Sequence, residues 1–324
     1  MIKHYNFMST FTYYLIDVFT DTAFGGNPLA VFLDGDQLSS QQMQAIAKEM
    51  NLAETVFVCK SADKNAWAKL RIFTTEEELP FAGHPNVGTA ALLATIGFLP
   101  VSAEQKLTFS TYFDEKVGNI AIDVEQVQVK GKSLFKTTLT AAVPSSLKLG
   151  LIKADSYASV LGLNESDFHP HVETHLGNAG LDFGLVIASS KEAIDEAEMN
   201  TTAWAHYLKG TAAKFTYFAF VDALKKQVYA RMFCPSIGMA EDPATGSAAA
   251  ALSGLLARYF PQQNEDGNVN KSNVWTITQG VKMGRPSTIN LSFNIESDAQ
   301  GNRMASTIKV GGTSVLMAKG EFYI

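Results

Sequence analysis

The chain has 324 residues, of which 46% are hydrophobic and 18% charged; this composition can bury a large core, and the length favours two domains. The net charge is −6 and the basic residues are scattered, which excludes a phosphate-binding stripe, so we expect no nucleic-acid partner. The two cysteines, Cys59 and Cys234, have neither disulfide nor zinc-site spacing, and we expect a reducing, cytoplasmic location.

The first predicted elements are a strand at Leu29–Phe32, a helical stretch that ends at Asn51, and a buried strand in the sequence NLAETVFV. The segment before them lacks the pattern of a signal peptide, and no stretch of the chain has the roughly 18 apolar residues of a membrane span, so we expect no membrane partner. Glu54 stands at the start of the third element, with no Lys or Arg within five residues. Because a carboxylate beside apolar residues costs free energy unless it is stabilised, Glu54 is a candidate functional group, and we expect its pKa to be raised.

The next predicted elements are a turn, AGHPNVGT, a helix with almost no charge, and a run of alternating strands. The second half of the chain repeats this order, with the turn AEDPATGS before another helix that is nearly free of charge. Aligning Pro85 with Pro243 places Gly88 on Gly246, because both pairs differ by 243 − 85 = 158. The strand that corresponds to the one after Glu54 is KFTYFAFV, which contains no acid. The chain is therefore interpreted as two similar halves.

The repeat predicts an α+β fold of two pseudo-symmetric domains, each with amphipathic strands that wrap a central apolar helix. A helix that is apolar on all sides is normally buried on all sides. We place the N-terminal lobe at residues 1–128 and the C-terminal lobe at 129–311. The last strand, 312–324, is a candidate to pair with the N-terminal lobe.

The two turns are candidate binding sites because each begins a helix with small residues. Free N–H groups and the helix dipole favour an anion near Gly83 and Gly246, and we expect the two helix starts to face a shared cleft. His84 and Asp242 each directly precede a proline, and the dipole should keep the imidazole neutral. A metal is expected neither there nor at the weak His-x-His pattern of residues 169–171.

Five sequence blocks resemble the signature blocks of the phenazine-biosynthesis PhzF-like family, between Asp17 and Ile289: DVFTDTAFGGNPLAVF, MNLAETVFV, FAGHPNVGTA, EDPATGSAAAAL and TQGVKMGRPSTI. The resemblance implies the diaminopimelate epimerase-like fold: two similar domains, each a curled, mostly antiparallel sheet around a central apolar helix, with the active site between them. It also implies a homodimer and chemistry that uses no cofactor.

The resemblance further implies an isomerase like trans-2,3-dihydro-3-hydroxyanthranilate isomerase. By this likeness Glu54 removes a proton from a carbon and returns it elsewhere, while His84 and Asp242 assist in binding and proton handling. Ser247, with the backbone N–H groups around Gly83 and Gly246, would hold the carboxylate of a small substrate.

Two alternatives stay open at the level of sequence. The first is an epimerase or racemase that uses Glu54 with Asp242 or His84 as the opposite acid. The epimerase relatives use a cysteine pair in the two turns, and this sequence has none there. The second is a metabolite-binding or protein-interaction module with the same fold and no turnover.

Overall fold

The computed structural model describes residues 9–101, 108–263, 269–298 and 300–324. These residues form a mixed α+β structure that is mostly strand, as the sequence predicts. Among them, none of the helices combines the length and apolar character that crossing a membrane requires.

The elements are numbered in chain order. The strands are β1 (Thr10–Val18), β2 (Asn27–Phe32), β3 (Thr55–Cys59), β4 (Ala68–Phe73), β5 (Glu78–Leu79), β6 (Thr108–Glu115), β7 (Gly118–Val129), β8 (Lys132–Thr140), β9 (Ser146–Leu149), β10 (His175–Asn178), β11 (Asp182–Ile187), β12 (Thr216–Asp222), β13 (Gln227–Phe233), β14 (Glu241–Asp242), β15 (Ser272–Gln279), β16 (Ser287–Ser297) and β17 (Arg303–Tyr323). The α-helices are α1 (Ser40–Met50), α2 (Gly83–Thr95), α3 (Ala154–Leu161), α4 (Lys191–Glu196), α5 (Thr201–Tyr207) and α6 (Gly246–Tyr259).

The described residues divide into two compact units. The first unit contains residues 9–24, 28–101, 108–137 and 313–324. The second contains residues 25–27, 138–263, 269–298 and 300–312. The end of β17 therefore belongs to the first unit, where residues Ser314–Tyr323 pair antiparallel with β1.

The two units repeat one order of strand pairing. In the first, β2–β3 is parallel, β3–β4 antiparallel, β4–β6 parallel and β6–β7 antiparallel. In the second, β11–β12, β12–β13, β13–β15 and β15–β16 follow the same sequence of directions. A two-residue strand, β5 or β14, pairs with the middle strand of each unit. The internal repeat in the sequence is thus a repeat of sheet topology.

Helices α2 and α6 form the centres of the two units. Every residue of α2 from His84 to Ala94 is buried, and so are residues 248–257 of α6. Helix α2 contacts β1, β3 and β7, whereas α6 contacts β9, β10, β11 and β16. Each helix therefore has strands on several sides, which is why neither sequence shows a polar face.

Strand register gives the residue correspondence between the units. Thr55 lies opposite Phe73 in the first unit, and Thr216 lies opposite Phe233 in the second. The residue before Thr216 is the buried Phe215, so Glu54 has an apolar counterpart, as the absence of an acid in that strand predicts.

The alignment through the two prolines is not the structural correspondence. Pro85 lies inside the first turn of α2, whereas Pro243 precedes α6 by three residues. Glu78 and Glu241 occupy matching registers, opposite Phe73 and Phe233, and the helices begin at Gly83 and Gly246. Leu79 of the first unit is therefore the structural counterpart of Asp242, and Ser247 of the second unit is the counterpart of His84. Proline fits both places because the first helical turn needs no intrahelical N–H donor.

Candidate active site

Glu54 directly precedes β3, and its side chain is directed towards the start of α2. The side chain is 18% exposed, and Oε2 lies 3.5 Å from Nδ1 of His84. Sequence reasoning considered this acid without a partner; the structure brings it to the imidazole of the GHP turn instead. The pair joins two of the three predicted catalytic residues within the first unit.

His84 is the second residue of α2 and is only 6% exposed. Burial lowers the pKa of the imidazole to about 3, so the ring is neutral near pH 7. A neutral imidazole agrees with the expectation from sequence, and burial of the ring is a cause that the sequence did not reveal. Nε2 is buried and has no hydrogen-bond partner among the described residues.

The first turn of α2 is stabilised by hydrogen bonds from a side chain of the helix itself. The residue before Gly83, Ala82, is the N-cap and makes no side-chain capping hydrogen bond. Asn86 Nδ2 instead donates to the Ala82 carbonyl at 2.8 Å and to Oε1 of Glu115 at 2.5 Å. Glu115 is 5% exposed, and burial raises the pKa of its carboxyl to about 8. The sequence alone did not single out Asn86 or Glu115. The signal it offered for Glu115 was an acidic residue at the end of a predicted strand.

Asp242 lies in a buried polar cluster of the second unit. It belongs to β14, is 6% exposed, and accepts hydrogen bonds from Thr245 Oγ1 and from Nδ2 of Asn27 at 2.9 Å. Burial raises the pKa of its carboxyl to about 6, although both hydrogen bonds act in the opposite direction. The N-cap of α6 is Thr245, so Asp242 is not a helix cap.

Gln279 links the same cluster to the start of α6. Its Nε2 donates to the Asp242 carbonyl at 2.8 Å and to Thr245 Oγ1 at 3.0 Å. Its Oε1 accepts from the Thr245 N–H at 3.3 Å and from the Tyr217 hydroxyl at 3.2 Å. Gln279 is fully buried, yet sequence reasoning named only the TQG block that contains it.

The predicted binding residues of the second unit lie at the helix start. Gly246 is the first residue of α6, and Thr245 provides no side-chain capping hydrogen bond. Ser247 is partly exposed, whereas Gly246 and Ala248 on either side are buried. The serine therefore presents the accessible side chain of this turn, as a ligand contact requires.

The described residues contain no group of three or more His, Cys, Asp and Glu side chains that could hold a metal ion. In the His-x-His pattern, Nδ1 of His169 accepts the His171 N–H at 3.2 Å, so that nitrogen is already engaged. Cys59 and Cys234 are both buried, and burial raises the pKa of the Cys59 thiol to about 11. A thiol with so high a pKa is a poor nucleophile near neutrality.

Comparison with known proteins identifies relatives over nearly the whole chain. A family model described as "Phenazine biosynthesis-like protein" (PhzC-PhzF) matches residues 16–320. An uncharacterized isomerase of Mesorhizobium japonicum is 34% identical, and the alignment covers 98% of this chain and 100% of the relative. Trans-2,3-dihydro-3-hydroxyanthranilate isomerase of Pseudomonas chlororaphis is 32% identical, with 96% and 99% covered. A PhzF-family structure from Bacillus anthracis has the same fold, with a TM-score of 0.82, 22% identity, and 98% and 100% of the two chains covered.

Proposed function

We propose that this chain, which belongs to the phenazine biosynthesis-like (PhzC-PhzF) family and is an isomerase, moves a proton between two carbons of a small carboxylated metabolite. Glu54 acts as the base that removes the proton and as the acid that returns it. The contact of Oε2 with Nδ1 of His84, at 3.5 Å, is the observation that carries this assignment. Catalytic hydrogen bonds are commonly long before a substrate binds and shorten in the complex.

His84 assists as a neutral imidazole. While Glu54 is ionised, Nδ1–H of His84 points towards Oε2 and stabilises the carboxylate. When Glu54 has taken the proton on Oε1, its carbonyl oxygen Oε2 still accepts from Nδ1–H, so the histidine keeps its own hydrogen throughout. Because burial keeps the pKa of His84 at about 3, the ring does not take the proton from Glu54 and stays neutral.

We propose one carboxylate-binding position in each unit, at the start of its central helix. In the first unit the backbone N–H groups around Gly83 donate to a carboxylate, and in the second unit those around Gly246 do so together with the hydroxyl of Ser247. The N-caps of both helices leave these N–H groups without a side-chain partner, which supports the assignment. Asp242 contributes to binding and proton handling.

An epimerase is the second candidate, and the environment of Asp242 favours it over the remaining alternatives. A buried carboxyl with a pKa of about 6 can exchange protons near neutrality, as the second acid–base group of an epimerase must. The two reactions differ in outcome. An isomerase moves the proton to another carbon, whereas an epimerase inverts the configuration of the carbon that lost it.

No net oxidation occurs when a proton moves between carbons, so the proposed reaction needs no redox cofactor. We also propose that the enzyme acts as a homodimer in the cytoplasm. Light scattering coupled to size-exclusion chromatography measures the oligomeric state, and a monomer at working concentrations would contradict the dimer.

Deuterium exchange tests the proposed reaction. The protein is incubated in D2O with trans-2,3-dihydro-3-hydroxyanthranilate, the substrate named for the Pseudomonas relative, and then with other small carboxylates. We expect deuterium at a substrate carbon, and a loss of about 10³-fold in the exchange rate for Glu54→Gln, because positioned acid–base groups contribute about 10² to 10⁴. NMR of the product distinguishes a moved double bond from an inverted centre.

A matched control is Glu77→Gln, an exposed glutamate of the same unit, which should exchange at the wild-type rate. Equal exchange by wild type and Glu54→Gln would contradict the role of Glu54. Binding of several carboxylates without exchange would instead favour a metabolite-binding module.

A further inference from the structure

Glu115 and Gln279 occupy the same place in the two units. Each is the last residue of the strand that runs parallel to the middle strand, β6 beside β4 and β15 beside β13. The preceding residues Asp114 and Thr278 lie opposite Lys69 and Tyr229, each two positions before the arginine of its middle strand. A glutamic acid therefore stands where the repeat has a glutamine.

The glutamine defines what this position does. In the second unit its amide reaches Thr245, the N-cap of α6, with both its oxygen and its nitrogen. In the first unit the N-cap is Ala82, which has no polar side chain, and Asn86 makes the link between Glu115 and the Ala82 carbonyl instead. Both side chains thus tie the end of a strand to the start of a central helix.

The glutamate cannot perform this task as easily when it is ionised. Oε2 of Glu115 and Oδ1 of Asn86 are both buried without hydrogen-bond partners among the described residues. A carboxylate would add an uncompensated charge at this place, whereas a neutral carboxylic acid resembles the amide of Gln279 and offers an O–H donor.

We propose that Glu115 is a positioning residue that, as a neutral acid, fixes the first turn of α2 through Asn86 and thereby holds His84 against Glu54. The catalytic part of this inference rests on the proposed function, whereas the protonation state of Glu115 does not.

The charged groups around Glu115 do not offset an ionised form. Burial is the main cause of the raised pKa of the Glu115 carboxyl; the hydrogen bond from Asn86 lowers this pKa in part, and Asp114 on the same strand raises it further. The groups on the packed elements are Lys69 and Arg71 of β4, Asp123 and Glu125 of β7, His84 of α2, and Lys116 in the following turn. Lys116 and Arg71 both bind Glu78, and His84 is neutral. Lys69 lies opposite Asp114 in the strand register.

The pH dependence of folding tests the protonation state without any substrate. The pKa of Glu115 is about 8 in the folded chain and near 4.5 in the unfolded chain. The folded state therefore keeps the proton longer, so the wild type loses stability as pH rises between these values. Glu115→Gln removes this loss, and we expect its urea midpoint to rise relative to wild type between about pH 5 and about pH 8.

The matched control for unfolding is Glu125→Gln, an exposed glutamate on the neighbouring strand β7. Its midpoint should follow that of the wild type at every pH. If the urea midpoint of Glu115→Gln also follows that of the wild type, or falls below it as pH rises, Glu115 is not a neutral acid in the folded chain and the proposal is overturned.

Catalysis tests the positioning role, with the carboxylate that the wild type exchanges in D2O as the probe. We expect Glu115→Leu to lower kcat about tenfold with KM within about twofold, because the loosened turn misplaces His84. Glu115→Gln should recover the wild-type kcat at neutral pH and extend it to higher pH, since it cannot ionise. A kcat of Glu115→Gln as low as that of Glu115→Leu overturns the proposal. If no probe exchanges, the proposed function fails, whereas the unfolding result still decides the protonation state.

Discussion

Each unit joins its middle strand to the short strand before the central helix by an arginine and a glutamate. In the first unit, Nε and Nη2 of Arg71 donate to Glu78, both at 2.8 Å. In the second, the same atoms of Arg231 donate to Glu241 at 3.0 and 2.8 Å. The first pair is about 20% exposed and has Lys116 as an additional partner; the second is 11% exposed and lacks an additional cation among the described ion pairs.

The two units share their backbone construction and differ in the polar side chains near their central helices. Pairing directions, helix starts and the bidentate pair are shared, whereas the polar side chains under the helices differ. The first unit has an accessible carboxylate beside a neutral histidine, and the second has a carboxyl enclosed by amides and hydroxyls. Backbone construction is therefore common to both units, and the proposed chemistry depends on the residues that break the symmetry.

The largest expected effect comes from removing the arginine of the second unit. Arg231→Met leaves Glu241, whose side chain is only 11% exposed, without its cation, and it also leaves the carbonyls of Ile194 and Ala197 without the Nη1 donor. We expect a loss of about 3–5 kcal/mol in the free energy of unfolding, measured with urea. Arg71→Met should cost about 1 kcal/mol, because the glutamate there is more exposed and keeps a lysine.

The control for this comparison is Lys225→Met, which breaks an exposed pair with Asp222 in the second unit. It should change the free energy of unfolding by less than about 0.5 kcal/mol. Equal losses for the two arginine variants would contradict the difference in burial that distinguishes the units.

The next largest effect is a pH dependence of the free energy of unfolding, which arises from Asp242 in the second unit. The pKa of Asp242 is raised by burial to about 6, from 3.8, so the folded state holds its proton longer than the unfolded state. Stability is therefore highest below the unfolded value and decreases as pH rises through the folded value, by at most about 3 kcal/mol. Asp242→Asn should flatten this decrease between about pH 4 and about pH 6, measured as the free energy of unfolding.

Asp242→Asn has its own cost, because Thr245 and Asn27 donate to different carboxylate oxygens, and the amide replaces one of these oxygens with an NH2 donor. That cost shifts the whole curve and does not change with pH. Glu241→Gln, one residue away, is not a suitable control because it weakens the arginine pair; Asp155→Asn, on the exposed face of α3, is preferable. If the free energy of unfolding of Asp242→Asn decreases with pH as steeply as that of the wild type, the raised pKa of Asp242 is contradicted.

The features that depend on local pattern could be predicted from the sequence. The uncharged stretches after the two turns predict buried helices, and α2 and α6 are buried along almost their whole length. Likewise, Glu54 stands out because apolar residues surround it and its repeat lacks an acid. Family and isomerase activity were indicated by the signature blocks and are confirmed by the relatives.

The features that depend on contacts between distant strands could not be predicted from the sequence. Glu115 and Gln279 end strands whose apolar alternation reveals nothing about the helix start beyond them. Their role appears only when β6 and β15 are placed beside their parallel partners. The alignment through Pro85 and Pro243 failed for a different reason: proline is tolerated both before a helix and within its first turn, so it does not fix the helix start.

The smallest effect tests the corrected alignment inside the central helices. Counting from the helix starts, Gly88 of α2 corresponds to Ala251 of α6, and a Cβ at Gly88 would lie 2.5 Å from Val18 and 2.8 Å from Leu29. Overpacking costs about 1–3 kcal/mol, while alanine gains about 1 kcal/mol of helix propensity, so Gly88→Ala should destabilise by about 1 kcal/mol. Ala251→Gly should also destabilise, whereas Ala45→Gly on the exposed face of α1 measures propensity alone. Higher stability of Gly88→Ala in urea would mean that α2 does not contact β1 and β2 as closely as the structure has it.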